Sequence, residues 1–400
     1  MMILIGWRAQ HFISTHSDPY NFEAMARDLL HGDGFRKWGS VLNRKGPLYP
    51  AFIAGIYSLL GERPLAVQLA QCLMLAGISM LVYDMGRRLF NARTGLIAGV
   101  ICALHPSLLR YVPDFHLEIL LTFLFTLTIW FSIRFMEQPR LRWGIGMGLA
   151  CAAAALAKAV VVLYPLVFIV WWLWLRRVPA SADKPKAVTK SLPWKPIAAV
   201  FLAMGMVILP WTVRNHRVSG KWVLITTGVG DAVLRGFIFT KPEYATLRLP
   251  PYTDAENESN ALFRGLCAAQ DTVWERNDIE SDRILTQAAK ARLLSDPVGA
   301  VRKFVVGLFT FWYEMTSRTN SAIAGGIALL SGVLAFIGWR RARREQCPVW
   351  PLALPILYLN VVLALLLALG RYSIPVLPCL TALAAFGLDT LLPRYERETK

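Results

Sequence analysis

Acidic residues are scarce in this chain. Only 26 Asp and Glu stand against 43 Lys and Arg, a formal net charge of +17 in 400 residues, and charged residues of both signs make up only 17%. A soluble domain carries about a quarter charged residues. A composition that is 55% hydrophobic, with 14 Trp and 20 Phe, therefore excludes an ordinary water-soluble fold. Cysteines are few as well. The six (Cys72, Cys102, Cys151, Cys267, Cys347, Cys379) lie mostly in or beside apolar runs, so no disulfide framework and no paired metal motif is present. Internal repeats and long low-complexity tracts are missing, and the opening MMILIGW is too short for a secretory h-region or a membrane span.

What is present is a series of apolar runs near membrane-spanning length. Nine are expected to span, at roughly 65–87, 95–112, 117–136, 143–158, 160–176, 196–213, 322–339, 349–370 and 373–392. The fourth is short, and its GIGMGLACAAAALA is rich in small residues that let helices approach closely. The fold class is thus an all-α polytopic membrane protein. Its expected parts are an N-terminal transmembrane module over 1–213 with a first outer loop at 16–63, an extracytoplasmic loop region over 214–298, and C-terminal transmembrane helices over 299–400.

Basic residues cluster at the ends of these runs, which is how membrane topology is written and not how a nucleic-acid surface is built. Arg87, Arg88, Arg93, Arg134, Arg140, Arg142, Arg176, Arg177, Arg340, Arg341, Arg343 and Arg344 all fall on one side when the nine spans alternate. That side is read as cytoplasmic. Residues 19–31, with Phe22, Met25, Ala26, Leu29 and Leu30 at i, i+3, i+4, i+7 and i+8, then form an amphipathic helix on the outer surface. Runs 47–61 and 297–315 are read as further surface helices. The loop region is expected to hold a β-branched patch, KWVLITTGVGDAVLRGF, an acidic turn near Asp254–Glu258 and a helix over about 280–294.

The same parity gathers polar residues on the outer side. Asp18 lies in the first outer segment and Lys45 precedes Pro47. Asp114, His116 and Glu118 sit at the outer end of the third span, Lys158 ends the fourth, Arg214 ends the sixth, and Arg371 and Tyr372 open the ninth. Ionisable groups at the membrane edge cost free energy to place and mark function or pairing. Each has a plainer reading: Asp18 before Pro19 is a good helix N-cap, Asp114 after Pro113 likewise, and the cations could snorkel or anchor the interface. His11, His16 and Asp18 match no recognised metal-site spacing. Together, carboxylates and cations on one face suit a lipid-linked phosphate. Lys or Arg neutralises the phosphate and stabilises its departure, while a carboxylate takes a proton from an acceptor.

Five stretches, in order along the chain, resemble a known family. They are SDPYNFEAMARDLLHGDGF with RKGPLYP, then LEILLTFLF, ALAKAVVVLYPL, LPWTVRNHRVSGKWVLITTGVGDAVLRG and RYSIPVLP. They look like C-type glycosyltransferases, in particular the bacterial branch related to protein O-mannosyltransferases and the lipid A aminoarabinose transferase. The resemblance implies a bundle of that type and an inverting transfer of sugar from a polyprenyl-phosphate donor. The acceptor, a lipid, glycan or protein, would be met on the periplasmic face of a bacterial inner membrane. It implies Asp18 as the catalytic acidic residue and Glu118 as the second acidic position. Lys45 (with Arg44 as the alternative), Lys158, Arg214 and Arg371 are implied around the donor phosphate, with Asp114, His116 and Tyr372 as possible additions. No metal ligand set and no certain cofactor is implied, and dependence on a divalent metal is left open; membrane lipids are the expected surroundings, and nucleic acid is not an expected partner. Pro19 stands where the family usually has an acidic or small residue. The family pattern also has a full spanning helix ahead of the first outer loop, so a further apolar run is expected upstream of Met1. Readings from other classes are a flippase of lipid-linked sugars and a non-catalytic relative. Against the first, the acidic residues sit at the outer edge, not in repeated midplane halves.

Overall fold

In lipid, every backbone polar group must be satisfied within its own segment, and this chain does so with helices. A computed structural model describes residues 18–35, 45–177, 192–244, 252–274, 278–315 and 317–392, with only the backbone given for Asp18, Pro19, Tyr252 and Thr253. Among the described residues there is no strand. Two surface helices come first, α1 (Asp18–Leu30) and α2 (Leu48–Leu60). Then follow α3 (Pro64–Leu89), α4 (Ala92–Ala103), α5 (Pro106–Tyr111), α6 (Glu118–Glu137), α7 (Leu141–Ala157), α8 (Tyr164–Leu175) and α9 (Trp194–Ser219). A cap of helices, α10 (Val229–Phe239), α11 (Tyr252–Ala268), α12 (Asp278–Ser295) and α13 (Pro297–Tyr313), precedes α14 (Arg318–Arg344), α15 (Trp350–Leu365) and α16 (Leu377–Leu391).

The bundle is built around α6 and α16. Their spanning segments are 67% and 83% buried, against 17% for α14, so α14 is peripheral and the other two are central. Close helix packing follows from small residues. A Cβ on Gly144 or on Gly148 would come within 2.3 Å of the carbonyl oxygens of Pro196 or Val200, so α7 and α9 meet backbone to backbone, as the small-residue run predicted. The two ends of the bundle differ. One, the basic end, carries Arg88, Arg134 and Arg341 with their partners; the other, the crown, carries α1, α2 and α10–α13.

Among the described residues, six helices have the length and apolar character to cross a membrane: Pro64–Leu89, Ala92–Tyr111, Glu118–Glu137, Trp194–Ser219, Arg318–Arg344 and Gly370–Leu391. The other three expected spans are shorter: Leu141–Ala157, Ala159–Leu175 and Trp350–Leu365. The reason is local. Lys158 takes an extended backbone (φ −151°, ψ 112°) that ends α7, and a 3-10 turn, Ala159–Val161, leads into α8. Similarly α15 stops at Leu365, and the chain runs through 366–369 into a 3-10 turn, Gly370–Val376, before α16. The second span is also interrupted, at Leu104 and His105 ahead of Pro106.

The surface helices lie as their patterns require. Phe22, Met25 and Ala26 of α1 are buried, and α1 packs on α2 through Phe22 edge-on to Tyr49 and the Tyr57 hydroxyl donating to Glu23 at 3.0 Å. In the loop region the expected acidic turn is instead the first half of α11. Asp254 and Glu256 sit near its N-terminus, where the helix dipole favours them, while Ala255, Ser259 and Phe263 form its buried stripe. The β-branched patch divides in two. Residues 223–225 run non-helically along the top of α9, and Val229 onward is α10. Helices α10, α11 and α12 share an apolar cluster of their own around Phe237, Phe263, Trp274 and Leu285.

Candidate functional site

One cavity at the crown, about 340 Å³ in volume, is walled by residues from seven separate stretches of chain. Into it the structure brings Lys45, His116, Glu118, Lys158, Arg371 and Tyr372, which the sequence had marked from different spans. How each is delivered is legible in the packing.

Lys45 arrives because Gly46 has no side chain. A Cβ there would lie 2.1 Å from the Leu156 carbonyl oxygen and 2.6 Å from that of Ala157. The KGPLYP stretch thus docks straight onto the end of α7, which sets Lys45 and Lys158 in the same wall. The Lys45 ammonium lies 4.6 Å from the centre of the Phe22 ring. Lys158 sits at the break between α7 and α8, and that break is held in place by the Tyr358 hydroxyl of α15, which donates to the Val160 carbonyl at 2.6 Å. Its Nζ lies 3.2 Å from the centre of the Tyr372 ring, and the Arg371 guanidinium is 5.1 Å from the same ring. Three cations thus meet at aromatic faces, an arrangement that desolvates and orients them.

Glu118 opens α6, and its carboxyl oxygen Oε2 is buried and makes no hydrogen bond among the described residues. The turn ahead of it is fixed by two buried glutamines of α3. Gln68 donates to the Pro113 carbonyl at 2.9 Å; Gln71 donates to the carbonyls of Val112 and Asp114, each at 2.9 Å. Asp114 does not line the cavity, nor does it cap α6, whose N-cap position is Leu117 with no side-chain bond. It lies instead behind His116, with Oδ2 3.5 Å from Nδ1. Burial alone would lower the His116 pKa, but Asp114 and Glu118 outweigh it and the histidine is raised above its ordinary value.

Arg214 is placed differently from its expected role. It is not among the cavity-lining residues; its guanidinium lies over the Trp211 ring at 4.8 Å and donates to the Phe35 carbonyl at 3.4 Å. It ties the end of the first outer segment to α9. Arg44 and the side chain of Asp18 lie outside the described residues; the Asp18 backbone opens α1, the helix that contributes Phe22 to the cavity wall.

The opposite wall was not picked out from the sequence. It consists of Thr226, Thr227, Gly228, Asp231, Ala232, Arg235, Phe239 and Glu256, from the stretch before α10, from α10 itself and from α11. Side chains at the top of α9 hold this stretch down. Trp211 donates to the Ile225 carbonyl at 2.8 Å, Thr212 to that of Leu224 at 2.8 Å, and Asn215 to those of Val223 and Ile225 at 3.0 and 3.2 Å. On α10, Arg235 pairs with Asp231 at 2.7 Å and also reaches Asn260 of α11 at 2.8 Å. An acid and a base four apart in a helix with an apolar opposite face was the available signal. Among the described residues no cluster of three or more His, Cys, Asp or Glu is arranged to hold a metal.

A second, much smaller cavity of about 10 Å³ is lined by Leu121, Val160, Leu359, Leu363 and Pro375 together with Glu118, Lys158, Arg371 and Tyr372. A phosphate could be held where Lys45, Lys158 and Arg371 converge, with a polar group meeting Glu118 or the α10 wall.

Comparisons with known proteins bear on the fold. Residues 44–211 match the model of the dolichyl-phosphate-mannose-protein mannosyltransferase family. No curated protein sequence matches the chain. Among solved structures, the apo oligosaccharyltransferase of Archaeoglobus fulgidus is similar with a TM-score of 0.56 at 10% identity, over 94% of this chain and 46% of that one. The same organism's AglB in complex with an inhibitory peptide and a dolichol-phosphate gives 0.51 at 10% identity, over 98% and 50%. ArnT from Cupriavidus metallidurans bound to undecaprenyl phosphate gives 0.41 at 16% identity, over 93% and 73%. The chain spans about half the length of the archaeal enzymes. It has the fold of the C-type glycosyltransferases and, over residues 44–211, matches the protein-mannosyltransferase family among them.

Proposed function

We propose that the protein transfers a sugar from a polyprenyl-phosphate donor to an acceptor at the periplasmic face of a bacterial inner membrane, inverting the anomeric centre. The observation that carries this reading is the convergence of Lys45, Lys158 and Arg371, from three distant stretches, on one cavity beside the Glu118 carboxyl. The crown takes the periplasmic side because the opposite end carries the arginine clusters.

In this reading the acceptor, on a lipid, glycan or protein, presents a hydroxyl or amine whose proton passes to Asp18. Its freed electron pair attacks the anomeric carbon, and the bond from that carbon to the phosphate oxygen breaks. The electron pair of that bond leaves with the carrier phosphate, where Lys45, Lys158 and Arg371 stabilise the growing charge. Glu118 orients the acceptor or one of the cations, and Thr226, Thr227, Asp231 and Glu256 offer hydrogen bonds to sugar hydroxyls. AglB, similar in fold, was solved with a dolichol-phosphate, which suits the same class of donor.

General-base catalysis is worth roughly 10²–10⁴-fold. Asp18→Asn is therefore expected to stay folded in detergent while sugar transfer from a polyprenyl-phosphate donor in labelled membranes falls by at least about a hundredfold. Near-normal turnover in that variant would remove Asp18 from the base role. A label that moves between leaflets without reaching any acceptor would point to a flippase.

A further inference from the structure

Helix α13 reads in sequence as a surface helix, yet it buries a lysine. Lys303 is 3% exposed, and it belongs to a stripe, Lys303, Gly307, Thr310 and Glu314, spaced four, three and four residues apart on one helix face. Every member of that stripe contacts the same piece of chain, residues 364–370. Lys303 Nζ donates to the Leu365 carbonyl and, at 3.4 Å, to that of Ala364. A Cβ on Gly307 would sit 3.0 Å from the Cα of Ala364. Thr310 donates to the Ala368 carbonyl at 3.3 Å, and the Gly370 amide donates to the Glu314 carbonyl at 2.6 Å.

These contacts have a specific chemical sense. Ala364 and Leu365 are the last residues of α15, and their carbonyls are among those a helix leaves without partners at its C-terminus. A cation at that end satisfies them and complements the dipole. Burying an ammonium is costly where packing alone is needed, since an apolar side chain would fill the same space. The cation is therefore tied to the geometry of the segment it caps. That segment runs directly into Arg371 and Tyr372, and its Leu367 also lines the cavity.

The same lysine touches the other wall. Gly236 of α10 packs so closely here that a Cβ would lie 2.1 Å from the Leu366 carbonyl oxygen and 3.0 Å from Lys303 Cδ. Arg235, one residue before it, and Asp231 face the cavity. Three elements thus cross at one point: α13, the end of α15, and α10.

We infer that Lys303 is a positioning residue: with Thr310 and the Glu314 carbonyl it clamps the 364–370 segment, which sets Arg371 against the α10 wall. This rests on the reading of Arg371 as a donor-phosphate ligand; the clamp itself can be measured without any donor.

Two measurements on the full-length protein in detergent test it. The first is amide hydrogen exchange over residues 366–371 without donor. Removing hydrogen bonds to a charged group should make these amides in Lys303→Met exchange about 10- to 100-fold faster, with α4 and α7 unchanged. The second is a double-mutant cycle on transfer from a polyprenyl-phosphate sugar. Lys303→Met should raise the donor KM about tenfold with a smaller change in kcat, and this penalty should shrink below about twofold in an Arg371→Gln background. Thr310→Val, which removes a single hydrogen bond, should shift both readouts the same way by less, and serves if Lys303→Met does not fold. Unchanged exchange at 366–371, or an equal penalty with and without Arg371, would overturn the clamp. If Arg371→Gln transfers sugar at the wild-type rate, the donor-site reading fails instead, and the exchange measurement alone then decides the clamp.

Discussion

The arginines at the basic end of this bundle and the three cations gathered at the crown cavity have different surroundings. At the basic end, arginines are matched to carboxylates. Asp84 takes Arg87 at 2.6 Å, Arg88 at 2.5 Å and the Trp130 indole at 2.8 Å; Glu137 takes Arg134 at 2.8 Å; Asp389 takes Arg341 at 2.9 Å and Arg93 at 3.2 Å. These pairs bind α3 to α6, and α16 to α4 and α14. At the crown, Lys45, Lys158 and Arg371 lie against the rings of Phe22 and Tyr372 around an open cavity, and a Glu118 oxygen has no hydrogen bond among the described residues. Paired charges at helix ends hold helices together. In the proposed reading, the cations held against aromatic faces beside the cavity bind the donor phosphate.

If that contrast is right, the two ends should fail differently. The largest effect is expected at the crown: Lys158→Met removes a cation from the phosphate site and should lower transfer by about a hundredfold, at the scale of losing one electrostatic stabiliser of a departing charge. Its thermal stability in detergent, measured alongside, separates loss of the phosphate site from loss of the fold. The basic end should show the reverse. Asp389→Asn leaves Arg341 with a weaker partner at a mostly buried position and should cost about 1–3 kcal/mol of stability, with donor KM unmoved.

The smallest effect concerns pH. Burial raises the Glu314 carboxyl to about 8. A raised carboxyl favours the fold below its ordinary pKa and loses that contribution as pH climbs through about 8. Wild-type stability relative to Glu314→Gln should therefore fall by about 1 kcal/mol between pH 6 and pH 7. Lys303, lowered by burial to about 8, acts above that window and with the opposite sign, since its penalty fades as pH rises from 8 toward the ordinary lysine value. Parallel melting curves for the two proteins across pH 5–8 would contradict the burial of Glu314.

The sequence made the membrane-facing half of this account readable, because a charge inside an apolar run is conspicuous. Glu118, Lys158 and Arg371 each interrupt such a run, and all three line the cavity. Phe22, Met25 and Ala26 were legible as a buried stripe from spacing alone. Arg214 stood out for the same reason as the others, but the orientation of the helix end, not its position, turned it toward Trp211 and Phe35. The α10 wall was overlooked because its one signal, the Asp231–Arg235 pair four residues apart, is common on any exposed helix, and Thr226 is not unusual in a polar loop region. Asp254 to Glu258 read as a turn because three acids in five residues suggest one, whereas the Ala255–Ser259–Phe263 stripe carried the helix. The α13 stripe was missed for a related reason: Lys303 looks like an interfacial lysine until the end of α15 is seen lying across it.

The most direct test of the central claim is equilibrium binding of a polyprenyl phosphate, without sugar, to the detergent-solubilised protein and to one variant from each end. The account predicts that Lys158→Met weakens binding by about tenfold or more and that Asp389→Asn leaves it within about twofold of wild type. Equal affinities for wild type and Lys158→Met would contradict it, and would mean that the crown cavity does not hold the carrier phosphate.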